Sequence, residues 1–157
     1  MKKLLSVTLF LFLLVSLTGC VTYHHEALPH YGESPVISVE LCELPSDLQY
    51  DKLPEAFSDP GTNPIPTAQL SEDRVESFLA EVRTWKYADT VILLPVAQDS
   101  PREFHGPVVK VTYENGTWEM FDVSYYLYYD GNELSHKLGS VGWEQWNALL
   151  SEYFDVH

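Results

Sequence analysis

Two closely spaced glycine turns in the last third of the chain limit its fold more than any other feature. Val108 to Tyr113 is an apolar, largely β-branched run, Glu114-Asn115-Gly116-Thr117 interrupts it, and Trp118 to Phe121 resumes the apolar pattern. Asn-Gly between two such runs signals a tight hairpin, and the reading here is a type I′ turn with both residues at positive φ. Tyr125 to Tyr129, then Asp130-Gly131, then Glu133 to Leu138 repeat the arrangement. Parallel neighbours need crossovers of a dozen or more residues, which these short connections exclude, so four antiparallel strands in a meander are expected. The turn also accounts for Asn115-Gly116-Thr117, which would otherwise read as a glycosylation sequon.

Two helices flank that meander. Ser71 stands at an N-cap position, Glu72 and Asp73 follow in the first turn, and Val75, Phe78, Leu79, Val82 and Trp85 recur at spacings of three and four. Trp143 to Phe154 closes the chain as a second amphipathic helix with Trp146, Leu149, Leu150 and Tyr153 on one face. Before them, Val36 to Leu41 alternates with Ile37, Val39 and Leu41 on one side, the period of a half-buried strand. Glu43 to Pro66 carries five prolines and reads as a long irregular connection, while Thr90 to Ala97 reads as a central strand in spite of Pro95. The expected fold class is α+β: an antiparallel or mixed sheet of about five or six strands with the two helices packed on one face.

The N-terminus states an address. Met1-Lys2-Lys3 is basic, and Leu4 to Leu17 is almost wholly apolar, broken only by Ser6, Thr8 and Ser16. That run is shorter than the roughly 20 residues a membrane-spanning helix needs, so a cleaved signal is the better reading. Leu17-Thr18-Gly19-Cys20 follows directly and resembles the lipobox of bacterial lipoproteins at all four positions. The resemblance implies cleavage between Gly19 and Cys20, a diacylglyceryl thioether on the Cys20 sulfur, and a protein held by its lipid on the extracytoplasmic face of the cell membrane. Several acyl chains hold stably, since each buried methylene contributes about 0.8 kcal/mol. Val21, rather than aspartate, supplies no inner-membrane retention cue, so a host with two membranes would permit the outer one. Residues 1–19 are then the signal, 20–35 a lipidated N-terminus and linker, and 36–157 one α+β domain.

A second resemblance covers the last third of the chain. Val109 to Thr117, the tyrosine-bearing strand, the Asp130-Gly131 turn and Trp146 to Tyr153 look like a group of uncharacterised small exported lipoproteins of Gram-positive bacteria. The shared motifs are turn glycines and core apolar residues. They imply the α+β fold and no activity.

Charge and motif content narrow the function. Losing Lys2 and Lys3 with the signal leaves seven basic residues against 23 acidic ones, a formal charge of −16 on 138 residues. Such a surface repels phosphates and anionic headgroups, which excludes nucleic-acid partners. With Cys20 acylated, Cys42 has no disulfide partner and reads as a small buried hydrophobe. His24, His25 and His30 resemble a metal-binding cluster, but adjacent histidines of an extended chain point to opposite sides, so no metal or other cofactor is expected. His105 and His136 are the candidate general bases of a small envelope hydrolase, yet neither has a matched nucleophile, and the sequence holds no G-x-S-x-G, H-E-x-x-H, P-loop or G-x-G-x-x-G motif. The better expectation is a non-enzymatic surface lipoprotein that binds a protein or cell-wall component. Tyr126 and Tyr128, sharing one sheet face, are its candidate binding residues if that face is open to solvent. An inhibitor or immunity lipoprotein protecting its own cell is a third reading of the same small acidic fold.

Overall fold

The computed structural model describes residues 20–44, 64–92, 106–131, 134–138 and 141–156. Its strands are β1 (Cys20–Glu26), β2 (Val36–Glu43), β3 (Ile65–Gln69), β4 (Lys86–Ile92), β5 (Val108–Tyr113), β6 (Trp118–Phe121), β7 (Tyr125–Tyr129) and β8 (Leu134–Leu138). Its helices are α1 (Glu72–Val82) and α2 (Trp143–Phe154). Six strands form one antiparallel sheet in the order β3-β2-β5-β6-β7-β8, and β1 pairs with β4 in a separate two-stranded sheet. The α+β expectation holds, and β5 to β8 form the meander.

The core lies between the helices and one face of the large sheet. Val39 and Leu41 of β2, Val109 and Val111 of β5, and Phe121 of β6 meet Phe78, Leu79 and Val82 of α1 and Trp146, Leu149 and Leu150 of α2. Aromatic edges join these layers: Trp146 meets Phe121 at 6.2 Å and Trp85 at 6.4 Å, both near-perpendicular. Arg74 of α1 fastens the end of α2 by donating to the carbonyls of Tyr153 (3.0 Å) and Glu152. Those carbonyls have no partner within their own helix, so a guanidinium there satisfies them and suits the negative helix end.

Several local readings differ from the sequence expectation. The first hairpin has a three-residue turn, not a two-residue type I′ turn: Gly116 N–H donates to Tyr113, Tyr113 N–H donates to Thr117, and Gly116 takes φ +85° while Asn115 does not take positive φ. This is a type I turn with a following left-handed glycine, and the Asn115 side chain stabilises it by accepting from Thr117 N–H at 3.0 Å. Ser71 occupies the N-cap of α1, but its side chain makes no capping bond. Ile37 is 62% exposed, because the register of β2 against β5 shifts between Val36 and Ser38 and Val36 takes the inward place. Pro66 belongs to β3, which the irregular reading of 43–66 overlooked; β3 is an edge strand, where a missing N–H is tolerated.

The largest correction concerns residues 20–35. They were expected to be a linker, yet Cys20 to Glu26 pairs residue for residue with Ile92 to Lys86. Ala27 and Leu28 continue into the core, and Tyr31 packs against it. The fold therefore includes the segment expected to tether it. Of the central strand expected over Thr90 to Ala97, residues 90–92 belong to β4 and pair with β1 in the two-stranded sheet, and residues 93–97 lie outside the described residues. Residues 45–63 of the long connection lie outside the described residues as well.

Candidate functional site

Glu119 is the most unusual residue of the core. Alternation on β6 sends Trp118 and Met120 to one face and Glu119 and Phe121 to the helix side, and the register places Glu119 between Val111 and Tyr128. The result is a carboxylate with 0% of its surface exposed. A buried charge is tolerated only when its lone pairs are satisfied, and three groups supply that. The Tyr113 hydroxyl donates to Oε1 at 2.6 Å, the Tyr126 hydroxyl to Oε2 at 2.5 Å, and the His30 backbone N–H to Oε1 at 3.2 Å. Burial pushes the Glu119 carboxyl above its ordinary range, and the three donors pull the other way without cancelling the shift. Burial, and then the adjacent carboxylate, raise both tyrosine hydroxyls above theirs.

The cluster holds the segment after β1 against the sheet. The His30 ring stacks on Tyr128 with centroids 3.6 Å apart and planes 9° from parallel, and its Nδ1 lies 3.2 Å from Glu33. Arg83 lies 4.3 Å over the Tyr31 ring, and Asn115 N–H donates to the Ser34 hydroxyl. On the other strand of the ribbon, the Tyr87 hydroxyl donates to the Asp122 carbonyl at 2.6 Å. Glu119 is thus committed to protein groups on every side. It joins the sheet to the N-terminal segment.

The tyrosine face is a correction. Alternation does place Tyr126 and Tyr128 together, but on the helix side, where Tyr126 is 4% exposed and Tyr128 is half-buried under His30. On the opposite face Cys42, Val108, Met120, Tyr125 and Leu127 are buried, and Tyr129 is half-buried, stacked on Trp118 at 5.5 Å. Tyrosine's amphipathic ring allowed this: its body fills core volume while its hydroxyl finds a buried acceptor. Cys42 is a free buried thiol pushed up to about 11, chiefly by burial, which suits the packing role expected of it.

The candidate histidines do not form one site. His24 and His25 occupy successive register positions opposite Ala88 and Tyr87, and His30 is stacked elsewhere. Among the described residues no three His, Cys, Asp or Glu side chains are grouped to hold a metal. His136 stands on β8 opposite Leu127, and His105 lies outside the described residues.

A cleft of about 450 Å³ opens beside α2, lined by Pro107, Trp143, Trp146, Asn147, Leu150, Ser151 and Val156. Helical spacing generates one wall, because Trp143, Asn147 and Ser151 recur every fourth residue and Trp146 and Leu150 run alongside. The chain's turn generates the other. Asp155 adopts φ +55° and ends α2, so Val156 comes back beside the helix with its N–H toward the Leu150 carbonyl. Four large apolar side chains are exposed among the described residues, and two of them, Trp143 at 52% and Val156 at 39%, line this one cleft. Sequence reasoning passed over Trp143 because its spacing from Trp146 and Leu150 reads as ordinary core. Glu119 did leave a signal: it is the one charged residue in an otherwise apolar four-residue strand.

The sequence matches no protein-family model, and no curated protein or solved structure is significantly similar to it.

Proposed function

We propose that this protein is an extracytoplasmic lipoprotein, anchored through Cys20, that works by binding a protein or envelope component rather than by catalysis. The observation that carries the reading is where reactive and sticky groups lie. The buried carboxylate is saturated by the fold, whereas two of the four exposed large apolar side chains among the described residues line the cleft beside α2. Binding sites are concave and mostly apolar with a few polar groups, and Asn147 and Ser151 supply such groups here. Trp143 has the character of an interface anchor, a large, rigid side chain that loses little entropy on contact.

Under this reading the lipid attaches to the first residue of β1, with no free tether between. Seven paired residues at about 3.4 Å each would separate the acylated sulfur from Ala27, about 24 Å along the ribbon. The cleft would therefore be held near the membrane at a restricted distance.

Two measurements test the two halves. Cys20→Ala should shift the protein out of the membrane fraction or leave the uncleaved precursor, and processed protein that stays in the membrane would refute anchoring. A photocrosslinking residue at Asn147, which is exposed and lines the cleft, should give a discrete adduct on native membranes. That adduct should vanish in Trp143→Ala, and its persistence would refute the cleft as the binding surface.

A further inference from the structure

We infer that the α2 cleft takes a short cationic segment of a partner protein, an aliphatic or aromatic anchor residue flanked by lysine or arginine. The inference deepens the binding reading above and rests on it.

Size sets the kind of occupant. A space of about 450 Å³ accepts one or a few side chains and not a folded surface, so a protruding segment fits it. The lining decides the anchor, because Trp143, Trp146, Leu150, Val156 and Pro107 reward an apolar side chain.

Charge decides the flanks. Glu144 and Asp155, the chain neighbours of the lining residues Trp143 and Val156, stand exposed, and no lysine or arginine occurs between Val141 and His157. The nearest described cation on α1, Arg74, is engaged with the carbonyls of Tyr153 and Glu152 and with the Tyr153 ring at 5.2 Å. The whole chain carries 23 acidic against 9 basic residues, so the local field and the global one have the same sign. An approaching cationic segment is steered inward, and an acidic one is repelled.

The test is selection of random twelve-residue peptides on the full protein in detergent, with Trp143→Ala as the parallel target. Enriched peptides should carry an excess of lysine and arginine around an apolar anchor. Their affinity should fall about tenfold or more in Trp143→Ala, as truncation of a central interface tryptophan does. Glu144→Gln/Asp155→Asn should weaken them several-fold and flatten the salt dependence while circular dichroism stays unchanged. Enriched peptides without basic excess, or binding indifferent to Trp143, would overturn the inference and leave a binding function elsewhere on the protein standing. A dimer in sedimentation that Trp143→Ala dissolves would overturn it in favour of a second copy as the occupant. Failure to enrich any peptide would overturn the inference, while the Asn147 crosslink on native membranes decides the binding reading separately.

Discussion

The Glu119 cluster and the α2 cleft invert the usual partition of polar and apolar groups, and they do so for opposite reasons. At Glu119 a carboxylate is fully buried and every contact on it comes from the protein itself. At the cleft a tryptophan in the first turn of α2 and a valine just past its end stay exposed. A buried polar group is stable only when complete, so the first site has no capacity left for a ligand. Exposed apolar area is uncompensated until something covers it, so the second site retains capacity. Under the binding reading, burial of a titratable group marks structure in this protein, and exposure of an apolar one marks the surface to test.

The comparison breaks most directly at Glu119. Glu119→Ala leaves two buried hydroxyls and the His30 N–H without their acceptor, and should cost about 3–5 kcal/mol in urea denaturation. A cost under about 1 kcal/mol would mean the cluster does not hold the fold together. Glu119→Gln keeps the shape and removes the titration. Because the folded carboxyl lies above its unfolded value, its stabilisation is complete below the ordinary carboxylate range and is lost as pH rises through the raised value. Wild type minus Glu119→Gln should therefore show stability falling with rising pH over that window, and a difference rising with pH would reverse the sign assigned to the group.

A second prediction concerns the segment expected to be a linker. Leu28 is buried in the core, and Leu28→Ala should cost about 2–4 kcal/mol, as large-to-small core changes do. A true tether would tolerate the change with no measurable loss. The smallest effect belongs to the cleft: Trp143→Ala should change stability by no more than about 0.5 kcal/mol, because half of the side chain is already in solvent. A large loss would show that Trp143 supports the fold and is not held ready for a partner.

Legibility followed sequence distance. Helix α2 and the β5 to β8 meander could be read from periodicity and turn residues because their determinants lie within a few positions of one another. The β1–β4 ribbon could not, since its register joins Cys20 to Ile92 and Glu26 to Lys86, and neither strand contains a clean alternation. Pro29 and Gly32 next to β1 are linker-like residues, yet Leu28 before them is buried in the core and the N–H of His30 between them is bonded to Glu119. The tyrosine strand shows a subtler limit. Its alternation was legible, but which face the helices would cover was not, because both faces carry aromatic residues.

By itself, the sequence determined what local chemistry determines: the apolar start and its Leu17-Thr18-Gly19-Cys20 motif, the acidic balance, the glycine turns and two amphipathic helices. These depend on covalent neighbours and on hydrophobic period. Only the tertiary structure decided that residues 20–28 belong to the fold, that Tyr126 faces inward to a buried carboxylate, and that Trp143 is left at the surface. Burial is a property of what packs against a residue, and here the packing partners come from segments tens of residues away.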